Sequence, residues 1–172
     1  MAEIRRLMFK QLAFAVSLTL LCKPALAGTG NSATRSGTST AQAIAPLALV
    51  HAPGFSLNFG RFTVGSSGTV SVPNSGGAST SGGVTFMGNG TAATDRFIAF
   101  GEPNRLIAIT TGSGTVTAAA NSMSFVTTPM LPAGYIPAGG SGYFTVGGTL
   151  TVNAGQAPGN YIGSYTVNVN YN

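Results

Sequence analysis

The sequence predicts an all-β fold, either a sandwich or a barrel, and three observations carry that expectation. First, the terminal stretch Gly159 to Asn172 alternates. Tyr161, Tyr165, Val167, Val169 and Tyr171 share one parity, Ser164, Thr166, Asn168 and Asn170 take the other, and only Ile162 breaks the pattern. Successive side chains of a strand face opposite sides, so this stretch reads as a half-buried strand. Second, short alternating runs recur along the chain, separated by clusters rich in Gly and Pro. Glycine supplies positive φ and proline presets turns, so these clusters read as strand connectors. Third, nothing after residue 27 holds a helical period over three turns.

In order along the chain, Ala41, Ala43, Ala45, Leu47 and Leu49 alternate up to His51, with Pro46 interrupting. Proline cannot donate to a ladder, so this run suits an edge strand or a bend. Further strands are expected at 55–64, 69–72, 83–87, 96–100, 105–110, 114–118 and 122–126. Residues 143–146 and 149–152 form an almost continuous run with Phe144, Val146, Leu150 and Val152 on one face. Connectors fall at Pro73–Gly77, Gly88-Asn89-Gly90, Ala138–Gly140 and Ala157–Gly159, and Gly112-Ser113-Gly114 reads as a tight hairpin turn. Strands of this length and spacing, punctuated by glycine, are the pattern of sandwiches and barrels.

The first 27 residues read as an export signal. Arg5, Arg6 and Lys10 precede the apolar run Leu12 to Cys22, and Ala25-Leu26-Ala27 fits a small-x-small cleavage site. Lys23 and Pro24 end the run too early for a membrane-spanning helix. The expected organisation is therefore a signal peptide at 1–27, a Gly/Ser/Thr-rich arm at 28–40 and one β domain at 41–172. The arm has too little apolar area to offset the entropy of ordering it. Cleavage removes half the cations of a chain whose formal net charge is +5 and leaves four arginines against two carboxylates, a formal +2. No basic patch remains for nucleic acid. The single cysteine, Cys22, lies in the signal, so the mature chain forms no internal disulfide. About 145 residues build an adequate core without one.

Catalysis needs convergent ionisable groups, and the mature chain offers few. His51 is its one histidine, and the following Ala52-Pro53-Gly54 places it beside a turn. One histidine with no cysteine is a poor metal set, and no Gly-x-Ser-x-Gly elbow precedes a helix. Asp95 and Glu102, with Arg96 and Arg105 close in sequence, suit surface ion pairing or loop capping better than a paired acid and base. No enzyme activity, cofactor or metal is expected. The phenylalanines fall mostly on strand patterns and read as core. Tyr135 and Tyr143 flank a Pro/Gly loop and are the aromatics available to a sugar.

Several segments also carry a resemblance: Ala41-Gln42-Ala43-Ile44-Ala45-Pro46-Leu47, Leu57-Asn58-Phe59-Gly60, Gly147-Gly148-Thr149-Leu150-Thr151-Val152, and Ala157 through Tyr171. With the export signal, they resemble an uncharacterised family of small exported bacterial proteins, a domain of unknown function. More distantly they are similar to subunits of chaperone–usher fimbriae and to the spore-coat-U group. Gly159 and Tyr171 match the glycine and the penultimate aromatic of the fimbrial terminal strand. The cysteine that spore-coat-U-like subunits carry after the first strand has no counterpart here. The resemblance implies a single immunoglobulin-like, fimbrial-type β-sandwich with an incomplete edge. Identical or related subunits and a periplasmic chaperone would be its partners. Gly159, Tyr161, Tyr165, Val167, Val169 and Tyr171 would form the edge that pairs with an incoming strand. Ala41, Ala43, Ala45, Leu47 and Leu49 would form the candidate donor strand.

The leading expectation is thus a non-enzymatic structural subunit of a surface fimbria or coat, joined by strand complementation. The alternative is a self-contained secreted module that binds glycan or cell envelope. A small outer-membrane barrel would also alternate, but many of the expected strands are shorter than the ~9–11 residues a tilted membrane strand needs.

Overall fold

The computed structural model describes residues 34–87, 91–131 and 133–172. The expected signal peptide, the start of the arm and the Gly88–Gly90 connector lie outside the described residues. The chain divides into two units, residues 1–41 and 42–172. In the first, residues 34–41 carry neither helix nor strand. The second is a β-sandwich with no helix among the described residues.

The described residues form eleven strands: β1 (Ala48–His51), β2 (Phe62–Val72), β3 (Ser79–Phe86), β4 (Asp95–Phe100), β5 (Leu106–Thr111), β6 (Gly114–Ala118), β7 (Asn121–Pro129), β8 (Ala133–Tyr135), β9 (Ser141–Val152), β10 (Ile162–Ser164) and β11 (Val167–Tyr171). All pairings are antiparallel. The large sheet runs β1-β4-β9-β7-β6-β10, with β2 also on β9 and β3 on β2. The small sheet runs β11-β5-β8.

Strand β9 organises the large sheet. Val146 pairs with Asp95 of β4 on one edge and with Pro129 of β7 on the other. On the β4 edge the partner then changes, and β2 takes over from Gly148 to Val152. The handover falls at Gly147, where a Cβ would strike the Val72 carbonyl and lie 2.5 Å from the Asn74 nitrogen. Only glycine lets the end of β2 come so close. Thr145 Oγ1 donates to the Asn74 carbonyl at 2.7 Å, and Asn74 Nδ2 donates to the Pro129 carbonyl, which fixes the crossing.

The apolar residues form two clusters. In one, Ala99, Phe144 and Val146 of the large sheet meet Ile107 and Ile109 of the small sheet, with Ile136 beyond β8 and Val167, Val169 and Tyr171 from β11. Here the two sheets face each other. The other cluster joins Val70, Val72, Val84, Met123, Phe125, Leu150 and Val152, all from the large sheet, with Phe59 from the loop before β2. Among the described residues no small-sheet strand enters that second cluster. Leu57, Phe59, Tyr161 and Tyr165 provide its partial cover. Each buried aliphatic side chain contributes about 1.5–3 kcal/mol.

Three expectations need correction. The run 55–64 is not one strand. Residues up to Arg61 are irregular, with an isolated bridge from Asn58 to Ala93 and Gly60 in the left-handed region, and β2 begins at Phe62. Gly112-Ser113-Gly114 is no hairpin, because β5 belongs to the small sheet and β6 to the large one. A Cβ on Gly114 would hit the Phe125 ring, so the glycine serves close packing at a sheet crossover. The terminal strand is two strands in different sheets, β10 on β6 and β11 on β5, broken at Tyr165-Thr166.

Candidate functional site

A cleft of about 1320 Å³ opens over the large-sheet cluster, between residues 56–64 and residues 156–165. It follows from the topology, since among the described residues no strand faces the inner side of the large sheet there. Leu57, Phe59, Phe62, Phe125, Tyr161 and Tyr165 give it an apolar lining. Each long wall includes a short strand edge, residues 62–64 on one side and 162–164 on the other. Strand β10 pairs with β6 alone, and residues 62–64 of β2 pair with β3 alone. Along the cleft these edges have no backbone partner among the described residues. Unpaired edges are where an extended chain can add itself to a sheet.

One end of the cleft is polar. Asp95 is only 4 % exposed. Its Oδ1 accepts from His51 Nε2 at 2.7 Å and from the Arg96 backbone N–H at 2.8 Å, and its Oδ2 accepts from the Tyr165 hydroxyl at 2.8 Å. A buried carboxylate must be paired, and these three donors achieve that. They come from the end of β1, from β4 itself and from the point where the terminal strand changes sheets. The carboxylate therefore ties together three parts of the domain. The His51 side chain stays 49 % exposed, and its ring leans on Phe97. Tyr165 meets Phe97 and Phe125 edge-on at 6.3 and 6.1 Å, which joins the two apolar clusters. Burial first, then the hydrogen bond and charge of Asp95, push the Tyr165 ionisation well above the ordinary tyrosine range. The hydroxyl thus remains a donor, and the carboxylate is occupied as an acceptor. The burial of Asp95 overturns surface ion pairing, one of the two roles expected for it beside loop capping.

The opposite end of the terminal strand is closed. The Tyr171 hydroxyl donates to the Ala45 carbonyl at 2.9 Å and accepts from the Glu102 N–H at 2.7 Å. Glu102 Oε2 accepts from the Ala45 N–H at 2.9 Å. Leu47 and Leu49 pack on the cluster between the sheets.

The expected site residues are therefore divided. Gly159, Tyr161 and Tyr165 line the cleft, while Val167, Val169 and Tyr171 turn into the neighbouring cluster. The predicted parity holds, with those aromatic and Val positions half-buried and Ile162 70 % exposed. Strand β11 is an edge, paired only with β5. Of the candidate donor strand, Ala45, Leu47 and Leu49 are half-buried in the chain's own domain, and Ala41 and Ala43 are exposed. Sequence reasoning missed the joining of His51 to Asp95. The signal was parity, for Asp95 alternates in phase with Phe97 and Ala99, and His51 with Leu47 and Leu49.

Residues 50–171 match the family described as a domain of unknown function, DUF4402. The chain belongs to that family. Neither a curated protein nor a solved structure matches. The DUF4402 span contains both walls of the cleft and the whole Asp95 cluster, and leaves Ala41 to Leu49 outside it. Among the described residues no helix is long and apolar enough to cross a membrane, and no group of three or more His, Cys, Asp or Glu could hold a metal ion.

Proposed function

We propose that this chain is an exported, non-enzymatic structural subunit of a fimbria-like or coat-like surface assembly, joined to its neighbours by β-strand complementation. The observation that carries the reading is the apolar cleft between two unpaired strand edges. An extended segment laid there would complete the sheet with its backbone and seat alternate side chains on Phe59, Phe62 and Phe125. The open stretch runs from Tyr161 to Tyr165, so it calls for a segment of about five residues at ~3.3 Å each. Below Tyr165 the leading segment of the chain already covers the core through Leu47 and Leu49. The signal-like first 27 residues and the likeness of the terminal strand to that of fimbrial subunits support the same reading. The donor would be the leading segment of a related subunit, and a periplasmic chaperone would hold the edge before assembly.

The test uses the cysteine-free mature chain. A Cys at Ser164, on the exposed face of β10, and a second in the neighbour's leading segment at Ala43 should form an inter-subunit disulfide, with oligomers in size-exclusion chromatography. A chain that stays monomeric at high concentration, forms no cross-link and unfolds reversibly by itself would refute strand exchange. The self-contained binding module would then take its place.

A further inference from the structure

The outer face of the large sheet carries an arrangement separate from the cleft. Along β4, Asp95, Phe97 and Ala99 face the interior, so Arg96, Ile98 and Phe100 face out. The Arg96 guanidinium lies over the Phe55 ring at 4.2 Å and over the Tyr143 ring at 4.9 Å. Both rings are placed by backbone geometry. The Phe55 N–H donates to the Ala52 carbonyl at 3.3 Å across Pro53 and Gly54, and Gly54 has φ 81°. Proline followed by glycine at positive φ is the chemistry of a type II turn. The Ala52 N–H in turn donates to the Arg96 carbonyl at 3.0 Å, which holds that turn beside the arginine. Tyr143 sits opposite Ile98 on β9, next to Thr145, the partner of Arg96.

This arginine has no carboxylate partner among the described residues. Asp95, its neighbour in sequence, points to the opposite side of the sheet. The Arg96 Nε–H is buried and donates to no acceptor among the described residues. Cation–π contact holds such a group but does not satisfy its donors. Tyr143 beside it is 62 % exposed, and Val50 and Phe100 are exposed on the adjoining positions of β1 and β4. The enclosed Nε–H is out of reach, so the Nη groups of Arg96 are the donors that stand next to a flat aromatic and apolar shelf.

We infer that this shelf binds the carboxylate-bearing sugars of an acidic polysaccharide. The guanidinium fork matches a carboxylate through paired hydrogen bonds, which a lysine could not reproduce. The Tyr143 ring offers an apolar plane for the C–H face of the sugar and a hydroxyl for its rim. Pockets for small acids are concave, whereas this face is open and suits a polymer lying along the sheet. The few charges of the domain make recognition depend on this one cation rather than on a general field.

Affinity electrophoresis of the mature protein in gels containing polygalacturonate tests the inference. Retardation is expected with polygalacturonate and not with its methyl-esterified form. Arg96→Gln should weaken binding about tenfold, as loss of a charge-assisted pair does. Tyr143→Ala, which removes the exposed plane together with one of the two rings against the Arg96 guanidinium, should weaken it severalfold and keeps the inference testable if Arg96→Gln disturbs folding. Arg35→Gln, an exposed arginine of the other unit, should leave binding unchanged. Absence of retardation, equal retardation by the ester, or equal losses for Arg35→Gln and Arg96→Gln would overturn the inference. So would self-association abolished by Tyr143→Ala without polysaccharide, which would make the shelf a protein interface.

Discussion

Replacing Tyr165 by phenylalanine removes one hydroxyl and leaves its ring contacts with Phe97 and Phe125 in place. That hydroxyl donates to Asp95 Oδ2 at 2.8 Å, and the carboxylate is buried. A hydrogen bond to a charged group is worth about 1.5–3 kcal/mol, and Oδ2 has no other donor among the described contacts. The expected loss is therefore about 2 kcal/mol, moderated by the partial exposure of Tyr165. For a urea m-value of about 2 kcal/mol/M, the unfolding midpoint should fall by ~1 M. A double-mutant cycle with Asp95→Asn isolates the pair and should return a coupling of about 1.5–2.5 kcal/mol. His51→Ala should cost less, about 0.5–1.5 kcal/mol, because its ring is half in water. A Tyr165→Phe midpoint within 0.2 M of the parent, on the order of 0.4 kcal/mol, would mean that the carboxylate is not held as described. Simple additivity with Asp95→Asn would mean the same.

Three further outcomes follow from named contacts. The folded Tyr165 keeps its proton to higher pH than the unfolded chain, which releases it near the ordinary value of about 10. Above that pH the unfolded state binds fewer protons, so stability should fall with rising pH, by up to about 1.4 kcal/mol per unit. Chemical denaturation between pH 9 and 11 should show this slope in the parent and a shallower one in Tyr165→Phe. Tyr171→Phe cuts the tie to Ala45 and Glu102 and should cost about 1–2 kcal/mol, with faster amide exchange across Ala45 to His51. Ala119 has φ 50° in the two-residue turn between β6 and β7. Relief of about 1–2 kcal/mol of left-handed strain, less about 0.4–1 kcal/mol of added chain entropy, should let Ala119→Gly raise the melting temperature by a few degrees.

The alternation of the terminal strand was legible because Tyr161, Tyr165, Val167, Val169 and Tyr171 all meet the interior. Its division into β10 and β11 was not legible for the same reason. The strand changes partners at Tyr165 without changing which side faces the core, so the sequence pattern runs through the break unmarked. Turn chemistry misled in both directions. Glycine at 112 and 114 suggested a hairpin but serves a crossover, while the real hairpin turns on Ala119-Ala120, which carry no turn signal. Pro46 suggested an edge strand or a bend, and β1, which begins only at Ala48, lies at the edge of the large sheet. The Asp95 cluster joins residues 44 and 70 positions apart, a proximity that no local pattern encodes. The cleft lies where no described strand faces the inner side of the large sheet, so it emerges only from the order of the sheets.

Strand β9 has one more consequence. Phe144 and Val146 serve one apolar cluster, and Leu150 and Val152 the other. A slip of one residue against β4 or β7 would turn all four side chains out to water together. At about 1.5–3 kcal/mol each, the penalty is roughly 6–12 kcal/mol. That is comparable with the whole stability of a typical domain, about 5–15 kcal/mol. Misaligned conformers therefore have no competitive basin, and β9 acts as the ruler against which the remaining strands of the large sheet are set.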